Sequence, residues 1–178
     1  HSLSYSSPTY TLKDKSPHWF LEVKKTFSDG KPQYVIYYEL TKSDSKIPTK
    51  ELYYYPSGAI QKETDLCLST DSLESLPHGV TVHYYSTGEI KSVSTFENGL
   101  QSQEMKSFYP DGSLKETVFF EDGKKHGLLK TFSQDGHLIK EGHYLYGNKV
   151  GEHTSYWEKN VRKSLVIYEN NLPHGRSL

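Results

Sequence analysis

The stretch FYPDGSLKETVFFEDGKKHG, residues 108–127, carries two Asp-Gly pairs, and between them runs a segment rich in Leu, Thr, Val and Phe. Asp-Gly beside β-branched and aromatic residues is the composition of a tight turn between strands, because Gly adopts the positive φ that such turns need. Runs of about five to eight residues between turns of this kind read as strands of a hairpin rather than as helix.

The same register recurs every 24 residues. Gly88, Gly112 and Gly136 fall in one column, which Asn160 completes. Gly99, Gly123, Gly147 and Asn171 form a second, and four residues later come Gln103, Gly127, Gly151 and Gly175. The tetrapeptide LPHG occurs at 76–79 and again at 172–175, four periods apart, with its Gly in this register. Its Pro and His therefore read as turn punctuation. Upstream the unit persists with slippage through Gly58 and Gly30, and about six units cover the chain from residue 25 onward. Residues 1–24 form an N-terminal extension, Ser- and Pro-rich at its start, residues 25–178 the array, and residues 61–79 an irregular insertion.

Between the turns lie apolar columns: Tyr84, Phe108, Phe132 and Tyr156; Ile90, Leu114 and Leu138, broken by Arg162; and Phe96, Phe120, Tyr144 and Tyr168. All carry even numbers, and side chains alternate faces along a strand, so barring bulges these columns are expected on one face. Tyr84 with Ile90 and Phe108 with Leu114 are the expected cross-strand pairs. The fold predicted is all-β: an elongated, single-layer, twisted antiparallel meander of repeated ~24-residue hairpins, stabilised by stacking like units.

This pattern resembles the variant MORN repeats of bacterial proteins, often labelled toxin–antitoxin repeats. The resemblance rests on YYSTGEIKSVSTFENG, FYPDGSLKETVFFEDGKKHG and TFSQDGHLIKEGHYLYGNKVG. It implies a non-enzymatic repeat scaffold that binds protein. The wider family's name suggests peripheral binding to anionic, phosphoinositide-type lipid as the alternative, and the label suggests an antitoxin-like partner of a toxin.

Composition narrows the classes. Lys and Arg number 21 against 22 Asp and Glu, a net charge of -1, so no concentrated basic surface points to nucleic acid. Only 34% of residues are apolar, and 15 residues are Tyr, which suits half-wet surfaces. One cysteine, Cys67, excludes an internal disulfide, which fits a cytoplasmic protein or an exported one without disulfides. No apolar run is long enough for a transmembrane helix. The chain starts at His1 rather than Met, which fits removal of a signal peptide or a longer N-terminal part.

No nucleophile elbow, P-loop, dinucleotide fingerprint or H-E-x-x-H motif occurs, and repeats fill nearly the whole chain, so no catalytic residue is assigned. His143 and His153 are expected opposite one another across a hairpin centred near Asn148, but two ligands do not make a metal site, and no metal or cofactor is expected. The candidate partner-binding residues are the odd-numbered aromatics Tyr55, Tyr85, Tyr109 and Trp157. Lys91, Lys115 and Lys163 are the candidates for lipid. Gly58, Gly88, Gly112, Gly136, Gly99, Gly123, Gly147, Gly127, Gly151 and Gly175 are assigned to turns, and an unpaired sheet edge offers a route to self-association.

Overall fold

The computed structural model describes residues 13–157 and 161–174, and every regular element among them is a β-strand. Asn160 and Gly175, placed in turn columns above, lie outside the described residues. The strands are β1 (Phe20–Thr26), β2 (Pro32–Leu40), β3 (Lys46–Tyr54), β4 (Ile60–Leu68), β5 (Ser75–Tyr84), β6 (Ile90–Glu97), β7 (Leu100–Phe108), β8 (Leu114–Glu121), β9 (Lys124–Phe132), β10 (Leu138–Leu145), β11 (Asn148–Tyr156), β12 (Arg162–Glu169) and β13 (Leu172–Pro173). Within each unit their order in the sheet is their order in the sequence, an antiparallel meander. The chain divides into two compact units, residues 1–100 and residues 101–178.

Two kinds of turn alternate. In the longer kind an aromatic residue closes a five-residue loop: the Tyr85 N–H donates to the Glu89 carbonyl at 2.8 Å, and the Gly88 N–H donates back to Tyr85 at 3.0 Å. The same pair of bonds recurs at Phe27, Tyr55 and Tyr109, and with a non-aromatic residue in that position at Thr41 and Ser133. The shorter kind has two central residues at positive φ, Asn98-Gly99 at 48° and 85° and Asp122-Gly123 at 48° and 74°, the geometry that matches strand twist. Tyr146-Gly147 and Asn170-Asn171 repeat it. In each, the second residue's N–H also reaches the neighbouring hairpin: Gly99 to Pro77, Gly123 to Gln101 and Gly147 to Lys125, all at 2.8 Å, and Asn171 to Lys149 at 3.0 Å. This explains the first LPHG copy, whose Pro77 carbonyl and His78 Nδ1 accept the N–H groups of Gly99 and Asn98.

The expected cross-strand pairs Tyr84 with Ile90 and Phe108 with Leu114 are present. The expectation that all even columns share a face is overturned, because each of these hairpins contains a bulge. His83 pairs with Ser92 and Tyr84 with Ile90, so Lys91 is an extra residue; Lys115, Ile139 and Lys163 are extra in the same way. One extra residue shifts every following side chain to the opposite face. Tyr84 and Ile90 therefore lie on one face and Phe96 on the other, where it pairs with Gly79. Tyr168, paired with Gly151, is separated in the same way from Tyr156.

Within unit 1 the buried side chains are Val35, Ile36, Pro48, Leu52, Leu66, Val80 and Val82, and they are joined by Thr49, Lys50, Glu51, Thr64, Asp65, Thr81, Ser94 and Thr95. Within unit 2 the buried hydrophobic residues are Phe108 and Val118. A strand buried on both faces, as at Lys50, Glu51 and Leu52 of β3, takes charged residues inside along with apolar ones.

Candidate functional site

The bulges set the candidate residues. A bulge re-aims the side chain of its extra residue, and at each longer turn where that residue is Lys it lies over the aromatic ring that closes the loop. Lys91 Nζ is 5.8 Å from the Tyr85 ring centroid, Lys115 Nζ 5.4 Å from that of Tyr109, and Lys163 Nζ 4.1 Å from that of Trp157. The aromatic and the lysine candidates, read from sequence as alternatives, thus form pairs within single hairpins. Such stacking contributes about 0.5–1 kcal/mol at exposed sites and leaves the ammonium head wet.

The rings differ in what else they do. Tyr55 donates its hydroxyl to the Tyr84 carbonyl at 2.9 Å, and Tyr109 to the Phe132 carbonyl at 2.8 Å. Each ties one loop to the end of the next hairpin and is half-buried. Trp157, with no hydroxyl to spend, is 58% exposed. It borders a groove of ≈ 490 Å³ lined by Ser133, Asp135, His137, Leu138, Ile139 and Tyr156. Tyr156 is itself fixed there by donating its hydroxyl to Glu141 at 2.5 Å. An exposed indole beside apolar Leu138 and Ile139, rimmed by His137, Asp135 and Lys163, has the make-up of a contact anchor.

The expected opposition of His143 and His153 does not occur. Gly142 pairs with His153 and His143 with Val150, because the chain bulges around Gly151. The His153 ring covers Gly142 so closely that a Cβ built there would lie 2.2 Å from Nδ1, which is why no side chain fits at 142. Tyr144 and Tyr168 flank the imidazole edge-on, at 5.3 Å and 4.9 Å. Its Nε2 lies 2.9 Å from the His143 carbonyl, and burial holds its pKa below the ordinary histidine value. The aromatic column and the period both hint at this cluster, but the bulge that assembles it is silent in the sequence. Among the described residues no group of three or more His, Cys, Asp or Glu is placed to hold a metal ion, and no helix is long and apolar enough to cross a membrane.

Residues 77–98, 104–124 and 125–146 each match the family model described as MORN repeat variant. Residues 77–146 carry MORN-variant repeats. Those matches run from the third residue of β5 through the end of β10, within the part of the chain where the 24-residue spacing holds. No curated protein matches the chain. Among solved structures it is similar to an S. aureus TarM mutant in complex with fondaparinux, α-GlcNAc-glycerol and UDP, at 9% identity and a TM-score of 0.32, over 75% of this chain and 21% of that one. A protein of unknown function from Bacteroides fragilis matches at 12% identity and a TM-score of 0.25, over 86% of this chain and 95% of that one. A GtfA/B complex bound to UDP and GlcNAc matches at 8% identity and a TM-score of 0.22, over 89% and 25%. This chain therefore spans about a fifth of the length of the first of these proteins. Likenesses this distant carry no argument about function. MORN-variant repeats are non-enzymatic repeat modules of protein and membrane interaction.

Proposed function

We propose that this chain is a protein-binding scaffold whose contact point is the Trp157 groove of unit 2. The observation that carries the reading is the exposed Trp157 ring, capped by Lys163 at 4.1 Å and set beside Leu138 and Ile139. Tyr55 and Tyr109 occupy the equivalent loop position but commit their hydroxyls to neighbouring strands, so their part is to hold loops in place. The groove suits an apolar side chain of the partner, with an acidic group set against Lys163. A carboxylate there would compete little with the ring, since cation–π and ionic contacts to one ammonium come from different directions.

The test is capture from a lysate of the source cell by the intact chain and by Trp157→Ser, with circular dichroism showing that the variant keeps its β-sheet signal. A protein retained by the intact chain and lost from the variant supports the groove. Equal retention by both rejects it. Peripheral binding to anionic lipid through Lys91, Lys115 and Lys163 is the second reading, favoured by the position of all three on exposed bulges. It predicts association with vesicles containing phosphoinositide that disappears as salt rises, whereas binding through Trp157 persists.

A further inference from the structure

The most unusual chemistry in unit 1 lies away from that surface. Lys50 of β3 and Asp65 of β4 face each other as a cross-strand pair, and both are 1% exposed. Lys50 Nζ is 3.2 Å from Asp65 Oδ1 and 3.4 Å from Glu63 Oε2. Leu52, fully buried, and Glu63 form the next cross-strand pair on the same face, and Val35 pairs with Leu52 on its other side. Gly79 leaves room for the carboxyl: a Cβ there would lie 3.4 Å from Asp65 Cβ. Glu63 is held by the Tyr84 hydroxyl, which donates to its other oxygen.

An ionic pair is a poor occupant of this site. Removing both charges from water costs several kcal/mol per ion unless every lone pair is satisfied, and here one is not. Asp65 Oδ2 accepts the Lys13 N–H at 2.9 Å, but among the described residues Oδ1 meets only the Lys50 amine, at 3.2 Å and without good hydrogen-bond geometry. Burial correspondingly holds the Asp65 carboxyl above the usual carboxylate range, although the Lys13 N–H and Lys50 both oppose this. Passing one proton from the ammonium to the carboxylate gives a neutral amine beside a carboxylic acid, the two reactants of amide formation.

We propose that Lys50 and Asp65 condense to an intramolecular amide, with Glu63 carrying the proton between them. The Nζ lone pair attacks Asp65 Cγ, forming the C–N bond. Glu63 takes the proton released from nitrogen and delivers it to the departing oxygen, the C–O bond breaks, and one water leaves. Amine plus acid gives amide plus water, with no oxidant, reductant or activating group. The orphaned Oδ1 is the oxygen lost, and Oδ2 remains as the amide carbonyl with its Lys13 N–H bond intact. Fixed reactants and a placed proton carrier are what allow such a step to proceed without external activation.

Mass spectrometry of the intact full-length chain tests this. The expected mass is one water below that of the sequence, and digestion gives a branched peptide joining the segment around Lys50 to that around Asp65. Glu63→Gln, which keeps the size and the Tyr84 contact, restores the lost water while its dichroism spectrum is unchanged. Lys50→Arg does the same. An intact mass equal to the sequence, with Lys50 and Asp65 recovered in separate peptides, overturns the proposal. So does a missing water that maps to a linear peptide holding an Asp-Gly pair such as Asp111-Gly112, since succinimide formation loses water too. Loss of water that persists in Glu63→Gln removes Glu63 from its role as proton carrier.

Discussion

Unit 1 and unit 2 are built from the same hairpin, yet they hold their strands in different ways. In unit 1 the spacing between repeats slips, and the middle of β2 to β5 is buried on both faces, with Leu52, Val35 and Val80 at 0–2% exposure. In unit 2 the spacing is a regular 24 residues, and few side chains are fully buried: Phe108 and Val118 among the hydrophobic ones. Regularity therefore resides in the turns. The regular repeats bring a two-residue turn whose N–H reaches the preceding hairpin and a longer turn closed by backbone hydrogen bonds, under an aromatic ring at Tyr109 and Trp157 but not at Ser133, and this frame needs no deep core. Where the spacing slips, burial supplies what the frame does not, and it draws in Lys50, Glu51 and Asp65.

The sharpest way to break this contrast is in the core of unit 1. Leu52→Ala should cost about 2–5 kcal/mol, because a fully buried leucine leaves a cavity, whereas Leu114→Ala in unit 2 should cost less than half as much. Urea midpoints of the two variants decide it; equal losses would mean that unit 2 has a core as tight as unit 1. Next comes Gly142→Ala, which drives a methyl group into the His153 ring and should cost about 1–3 kcal/mol. Adding His153→Ala should return part of that loss, since the clash partner is gone, and strictly additive effects would show that the ring does not rest on Gly142.

A smaller effect is expected at the loops. Tyr109→Phe removes the bond to the Phe132 carbonyl but keeps the ring under Lys115, and thermal denaturation should reveal a loss of about 1 kcal/mol. The smallest is a pH effect. Burial, helped by Lys149 and His143, holds the His153 imidazole below its ordinary value of 6.5, against the pull of the His143 carbonyl. The unfolded chain then takes up a proton before the folded one does. Its contribution is complete above 6.5 and is lost as pH falls from there toward the folded value, so Tm should drop more in the native chain than in His153→Gln. An identical pH profile in both would place the titration elsewhere.

Much of this frame was legible in the residues. Glycine and asparagine columns located both turn types, and turn spacing was enough to pair Tyr84 with Ile90 and Phe108 with Leu114. Which face each column occupies was not legible, because a single extra residue reverses it and Lys91, Lys115 or Ile139 looks like any other strand residue until the register is known. His143 and His153 were misplaced for the same reason, at the shift around Gly151. The candidate residues were read as two competing surfaces, an aromatic row and a lysine row, and only the bulges reveal that each lysine belongs to a ring. Lys50 and Asp65 carried no signal, since they lie in the irregular repeats where no column marks them. Trp157 stood out by type, yet its groove needs Leu138 and Ile139 from the preceding hairpin.

Native-state hydrogen exchange on the intact chain tests most directly whether regular repeats are held by turns and irregular ones by a core. Backbone amides open with free energies set by the local burial around them. The expected result is slowest exchange at Lys50, Leu52, Thr64, Val80 and Val82 of unit 1, and faster exchange along β9 to β11 of unit 2, where the strands are half-exposed. Protection that is uniform across both units, or greatest in the regular repeats of unit 2, would contradict it.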